Sequence, residues 1–168
     1  LITGNNLMII GHDPSDTIIK WDGAGGTSAS FTGTISGIDT SISGVYKATL
    51  TVSGVTGSIL PGQVLAGAGI TVGTATIVQP SGGSTYQISG SGDYGLSTAG
   101  PEAMTTADQS IFYWGGTSFS QFSRITFDGQ NNIAIGHDLD WPAGGTNFTT
   151  DDVFTDDVIK NVGTGIRC

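Results

Sequence analysis

The residues with the most evident chemistry in this chain are its two histidines, and each is followed directly by an aspartate. The string Ile-Gly-His-Asp occurs at residues 10–13 and again at residues 135–138. A histidine beside a carboxylate could supply a general base and the group that orients it. Adjacent strand residues point to opposite faces, so His12 and Asp13 cooperate only if the chain turns there. We therefore interpret both copies as repeated turns of a scaffold rather than as one shared site.

The second copy lies in a richer neighbourhood, because His137 and Asp138 are followed after Leu139 by Asp140 and Trp141. A sugar ring offers C–H faces to an indole and hydroxyl groups to carboxylates. We predict a saccharide-binding site formed by His137, Asp138, Asp140 and Trp141. No cofactor is assigned, although the same carboxylates could bind Ca²⁺. The alternative is a solvated acidic loop with the indole folded back on the scaffold.

Four aspartates occur close together in the string TTDDVFTDD, at positions 151, 152, 156 and 157. Glycosidases use two carboxylates at a fixed separation, but four neighbouring aspartates produce such a pair easily by accident. A solvated turn is the preferred interpretation, so no residue is assigned as catalytic. No zinc-ligand set, Ser-His-Asp order or phosphate-binding loop occurs, and no metal site is assigned.

Composition indicates an all-β protein. The chain has 168 residues, of which 28 are glycine and only 11% are charged. No segment combines high helix propensity with a helical apolar period. The formal net charge of -9 argues against nucleic acid as a partner, because no basic surface could neutralise phosphates. No apolar run is long enough to span a membrane as a helix. The single cysteine, Cys168, excludes an intramolecular disulfide. Since the chain opens on Leu1 in a strand-like run, we expect a fragment or a processed product.

Two strings of the same type indicate a repeat. Residues 19–23 read IKWDG and residues 125–129 read ITFDG. In both, an apolar and an aromatic residue share one strand face, and Asp-Gly then turns the chain. Short strands separated by tight turns are typical of a solenoid, and we expect these two strands to run parallel. The alternative is an antiparallel sandwich.

Composition divides the chain into residues 1–27, 28–107 and 108–168. The flanks, through TIIKWDGAGG, SRITFDGQNNIAIGHD and DDVIKNVGTGI, resemble right-handed parallel β-helix proteins of the pectate-lyase-like superfamily, which includes secreted polysaccharide-active proteins and phage tailspikes. The middle segment resembles a small β-repeat of phage tail and tail-fibre proteins, through FTGTISG, LTVSG, PGQVLAGAG and STYQIS. Its own core should contain Leu50, Val52, Leu65 and Tyr86.

These resemblances imply a right-handed parallel β-helix interrupted by a small inserted antiparallel β-module. They imply a structural and glycan- or receptor-attachment component of a phage tail spike or fibre-like appendage, located outside the cell or on the virion surface. The expected partners are a cell-surface polysaccharide and further copies of the chain, as a homotrimer or a larger assembly. The alternative function is a secreted polysaccharide hydrolase or lyase. A lyase is disfavoured because the flanks offer few arginines and lysines, so enzymatic activity is left open.

Overall fold

The computed structural model describes residues 8–23, 27–42, 45–70, 75–91, 95–113, 119–139 and 152–167. All regular structure in these residues is β-strand, so the prediction of an all-β protein is confirmed. The described part of the chain contains no helix with the length and apolar character needed to cross a membrane.

The described residues form thirteen strands. They are β1 (Met8–Ile10), β2 (Ile18–Lys20), β3 (Thr27–Ile42), β4 (Val45–Gly57), β5 (Val64–Gly67), β6 (Ala75–Gly82), β7 (Thr85–Ser91), β8 (Ala99–Ala107), β9 (Ser110–Tyr113), β10 (Gln121–Ser123), β11 (Thr126–Asp138), β12 (Val153–Thr155) and β13 (Val158–Arg167).

The chain forms two compact units. The described residues from 27 to 108 make up one unit, and the described residues of 8–23, 109–139 and 152–167 make up the other. We call them the barrel unit and the parallel unit, after their strand arrangements.

The barrel unit is a closed barrel with the strand order β3-β4-β7-β6-β5-β8. Every neighbouring pair is antiparallel, and β3 closes the barrel on β8, with Thr27 opposite Ala107. Among the described residues of this unit, each of the six strands therefore has a paired neighbour on both sides. Because polar and apolar residues alternate along the strands, one face of each strand points into the barrel.

The barrel interior holds a single apolar core. Leu50, Val52 and Leu65 are buried in it, and Tyr86 is half-buried against it, as the sequence predicts for these four residues. Fully burying an aliphatic side chain such as Leu50 stabilises the fold by roughly 1.5–3 kcal/mol. The inward position of Leu50 and Val52 agrees with the alternation of residues 49–52, which read Thr-Leu-Thr-Val.

The described strands of the parallel unit form two sheets, and the pairings between these strands are all parallel. One has the order β1-β10-β12, and the other has the order β13-β11-β2, with β9 also paired to β11. Residues 32 apart lie side by side where β10 pairs with β12, as Phe122 and Phe154 show, and in the first part of the pairing of β11 with β13. Beyond the irregularity between Asp128 and Ile133, the paired residues are 29 apart. Arg124 and Asp156, also 32 apart, both adopt positive φ angles near 58° in the turns that lead into β11 and β13.

Aromatic and aliphatic side chains from both sheets form the core of the parallel unit. Phe122, Ile125 and Phe127 are fully buried, and Ile19 is among the partly buried side chains that pack against them. Ile19 lies opposite Phe127 in the parallel pairing of β2 with β11. The parallel pairing expected from the two Asp-Gly strings is therefore present.

The expectation of a right-handed parallel β-helix is wrong. The described strands of the parallel unit form two open sheets of three and four strands, and they show no parallel β-helix solenoid. The reason lies in what the repeated string encodes. An apolar-x-aromatic-Asp-Gly string specifies a short strand with one buried face and a turn at its end, and such a strand fits any parallel sheet. It does not specify the further faces that would close each coil of a solenoid.

Candidate functional site

Of the residues predicted to contact a saccharide, His137 has the best-defined environment. It lies near the end of β11, and its side chain is fully buried. The imidazole stacks on Phe112 with 5.5 Å between ring centroids, and it meets Phe127 at 4.3 Å and Phe154 at 4.8 Å edge-on. Burial lowers the pKa of His137 from 6.5 to about 4, because an apolar surrounding disfavours the charged imidazolium. In this arrangement the imidazole serves the core and is enclosed away from any surface ligand.

The remaining predicted residues follow His137 at the end of the strand. Asp138 is the last residue of β11, and its backbone lies opposite Arg167 of β13 and Tyr113 of β9. Leu139 then donates its N–H to the carbonyl of Arg167 at 2.8 Å. The side chain of Asp138 and the whole of Asp140 and Trp141 lie outside the described residues. Saccharide binding by these three residues therefore stays a prediction.

The two Ile-Gly-His-Asp copies do not form equivalent turns, so that interpretation is wrong. The first copy leaves β1 and enters a turn, where His12 is exposed and its Nδ1 lies 2.9 Å from Asp16 Oδ2. The second copy is part of β11 itself. What the copies share is the glycine. A Cβ at Gly11 would lie on the carbonyl of Arg124, and one at Gly136 would lie 2.5 Å from Ile159 Cγ2.

Two aspartates of TTDDVFTDD bind main-chain N–H groups that lie directly before β10 and β11. Asp152 Oδ1 accepts a hydrogen bond from the N–H of Ser120 at 2.7 Å, and Asp157 Oδ1 accepts one from the N–H of Ile125 at 2.9 Å. Burial raises the pKa of Asp157. Asp156 is exposed in the turn between them, and the fourth aspartate, Asp151, lies outside the described residues. Asp152 and Asp157 thus stabilise the main chain of the turns before β10 and β11.

A third carboxylate, which the sequence did not single out, has the most complete set of partners. Asp128 is 5% exposed, and its Oδ1 accepts hydrogen bonds from Asn161 Nδ2 at 2.7 Å and from the N–H of Gln130 at 3.0 Å. Its Oδ2 lies 3.7 Å from Lys160 Nζ. The hydrogen bond from Asn161, followed by that from Gln130, lowers the pKa of Asp128. Two features of the sequence could have identified Asp128, namely its Asp-Gly dipeptide and its 32-residue spacing from Lys160.

The barrel unit offers a depression with little chemistry. It lies between β3, β5 and β8, where Phe31, Gly67 and Met104 contribute apolar surface and Ser30 and Thr105 contribute hydroxyl groups. Ligand sites combine an apolar lining with a few convergent polar groups. Since these strand residues include no charged side chain, the depression has no group suited to acid–base chemistry.

The described residues contain no group of three or more His, Cys, Asp or Glu side chains placed to hold a metal ion. Comparison of the chain with protein-family models, with curated proteins and with solved structures found no match. The resemblances to pectate-lyase-like β-helix proteins, to phage tailspikes and to a tail-fibre repeat are therefore not upheld, and the site rests on geometry alone.

Proposed function

We propose that this chain is a structural and glycan- or receptor-attachment component of an extracellular or virion-surface appendage, of the tail-spike or tail-fibre kind. The observation that carries the proposal is the use made of the carboxylates in the parallel unit. These groups bind and orient main chain, which is the work of a scaffold that presents a surface.

The hydrogen bonds show this use directly. Asp128 accepts the N–H of Gln130 within β11. Asp152 and Asp157 accept the N–H groups of the residues directly before β10 and β11. In the turn after β1, Asp13 Oδ1 accepts both the N–H and the hydroxyl of Ser15. A general acid or base must reach the reacting atoms of a substrate. Carboxylates that are engaged in turns serve rigidity instead, which favours attachment over turnover.

The attachment surface that we propose begins where β11 ends, at Asp138, and continues through Asp140 and Trp141. An indole stacks on the C–H face of a sugar, and carboxylates accept hydrogen bonds from its hydroxyl groups. Ca²⁺ is the ion that two such carboxylates would take, through oxygen ligands. His137, which directly precedes this segment in the chain, is buried in the parallel unit.

Self-association is the second part of the proposal. Met8, Ile10 and Val153 are exposed large apolar side chains, and they lie on β1 and β12, the outer strands of one open parallel sheet. Exposed apolar strands at a sheet edge favour pairing with further polypeptide. A homotrimer or a larger assembly would cover them. Sedimentation of the purified chain tests this part, and a monomer at all concentrations would contradict it.

Attachment and turnover are separated by one experiment on two readouts. The chain is incubated with acidic and neutral bacterial polysaccharides, and both the protein retained on the polymer and the release of new chain ends are measured. We expect retention without new chain ends. Trp141→Ala should weaken retention by about tenfold, the factor for loss of one stacking contact of about 1.4 kcal/mol.

Asp156→Asn is the matched control, because it removes an exposed carboxylate that is not among the residues of the proposed surface. It should leave retention unchanged. Chain ends that accumulate with time would establish the alternative, a polysaccharide hydrolase or lyase. Retention on none of the polysaccharides would refute glycan attachment.

A further inference from the structure

The chain contains two Asp-Gly steps, Asp22-Gly23 and Asp128-Gly129, and both follow an aromatic residue. Aspartate followed by glycine is the dipeptide in which the next main-chain nitrogen most easily reaches the aspartyl side chain, because glycine adds no Cβ and permits the widest range of backbone angles. The two steps therefore have the same intrinsic chemistry. The structure places them in opposite environments.

The first step lies just beyond the end of β2. The N–H of Trp21 donates the last inter-strand hydrogen bond, to the carbonyl of Asp128 at 2.9 Å, and Asp22 follows as an exposed residue outside any strand. The Asp22 carboxylate makes no hydrogen bond or ion pair with any other described residue. The Trp21 indole lies over Gly23, 2.7 Å from where a Cβ would stand, so the packing itself requires glycine at this position.

The second step lies inside β11. The Asp128 carboxylate is held by Asn161 and by the N–H of Gln130, and Lys160 keeps a positive charge near its second oxygen. A Cβ at Gly129 would lie 2.4 Å from Val162 Cγ1 and 2.6 Å from the Asn161 carbonyl. Both the carboxylate and the glycine are therefore held by contacts with β11 and β13, at the point where the pairing of these two strands is irregular.

We propose that Asp22 is a site of spontaneous backbone isomerisation to isoaspartate, whereas Asp128 is protected by the fold. The Gly23 nitrogen attacks the Asp22 side-chain carbon Cγ, and an N–Cγ bond forms. The nitrogen loses its proton and the carboxyl group loses its hydroxyl, so that one water molecule leaves and a five-membered succinimide remains. Water then adds to one of the two ring carbonyls. Cleavage of the N–Cγ bond restores aspartate, and cleavage of the original peptide bond yields isoaspartate with no net change in mass.

The contacts of Asp128 should lower its rate of isomerisation by an amount that can be calculated. Reaching the attack geometry requires release of two hydrogen bonds to a charged group, which lowers the rate by about a hundredfold. The two sites are separated by cleavage after lysine and arginine, because residues 21–47 and 125–160 form different peptides, each with one Asp-Gly step. Isoaspartate is then located by electron-transfer fragmentation, which distinguishes the two backbone isomers.

The test compares the native protein with the chain denatured in urea, incubated until the denatured sample has converted a measurable fraction at both positions. In urea the two sites should react at similar rates, and in the native protein Asp22 should react about a hundredfold faster than Asp128. Native rates that are equal, or an Asp22 that is protected in the native state, would overturn the proposal.

Two variants check the cause. Asp22→Glu should abolish the reaction at position 22, because the corresponding ring has six members and closes slowly, while the rate at Asp128 stays unchanged. Asn161→Ala should raise the native rate at Asp128 by about tenfold, the factor for one hydrogen bond. An unchanged Asp128 rate in Asn161→Ala, with β11 shown to remain folded by amide exchange, would contradict protection by this contact.

Discussion

Mild acid should destabilise the parallel unit through one residue, His137. The neutral imidazole is enclosed by Phe112, Phe122, Phe127 and Phe154, and a proton added there would create a charge among aromatic rings. The folded state therefore binds this proton less readily than the unfolded chain does. Between the two pKa values the unfolded chain holds more protons, so the free energy of unfolding decreases as the pH falls.

The size of the effect follows from the two pKa values. The folded-state value is about 4 and the ordinary value is 6.5, a difference that corresponds to about 3 kcal/mol when fully expressed. The stabilisation is complete above pH 6.5 and is lost progressively toward pH 4. At about pH 5 the expected loss is about 2 kcal/mol. The lowered pKa values of Asp13 and Asp128 act in the same direction, but only below their ordinary value of 3.8.

Two measurements address this prediction. Nuclear magnetic resonance titration of the imidazole protons gives the folded-state pKa directly, and His12→Gln assigns the signals because the chain has only two histidines. Urea unfolding, followed by amide exchange in β11, then gives the free energy of unfolding of the parallel unit at about pH 8 and about pH 5. His137→Leu should remove the difference of about 2 kcal/mol between these conditions.

His12→Gln is also the matched control for stability. The His12 side chain is 88% exposed, and the acid-dependent loss should persist in this variant because His137 is still present. The reasoning is refuted if His137 titrates at 6.5 or above. It is equally refuted if His137→Leu retains the full pH dependence, since the proton would then bind elsewhere.

Three further changes should alter stability by amounts that chemical denaturation can measure. Asp157→Ala should cost about 1–3 kcal/mol, because a buried main-chain N–H loses its acceptor; full stability would show that water replaces the carboxylate. Leu50→Ala should cost about 2–5 kcal/mol in the barrel unit, against less than about 0.5 kcal/mol for the exposed Val55→Ala, and similar costs would contradict the assigned core. Gly129→Ala should destabilise the parallel unit by about 1–3 kcal/mol through overpacking. Gly100→Ala is the control, because its added Cβ has no neighbour within 4 Å, and this change should be neutral or stabilising. A larger loss of stability for Gly100→Ala than for Gly129→Ala would refute the close packing at Gly129.

The sequence was informative wherever one strand face had to be buried. Alternation in a string such as Thr-Leu-Thr-Val identifies the inward side chains, and Leu50 and Val52 are buried accordingly. The same rule placed Ile125 and Phe127 in a core. These outcomes depend on the two-residue period of a strand, which is a local property.

The alternation of apolar and polar residues does not predict whether strands close into the coils of a solenoid. The strings IKWDG and ITFDG predict short parallel strands, but whether such strands close into coils depends on faces that lie far away in the sequence. The second Ile-Gly-His-Asp copy shows the same limit. Its glycine and histidine indicate a turn in isolation, yet pairing with β9 and β13 makes it a strand. His137 was consequently assigned to a ligand, although aromatic residues from four other positions enclose it.

The pairing of β3 with β8, which closes the barrel, also brings the two ends of the barrel unit close together. Its first and last strands lie side by side, with Thr27 opposite Ala107, so its entry and exit points are separated by about one strand spacing of roughly 5 Å. A surface loop of another protein could therefore host residues 27–108 without being stretched, at a small entropic cost of closure. Conversely, new termini could be opened at the turn between β6 and β7, where Gly82 and Gly83 have open space around them, and the original ends could be joined by a short linker.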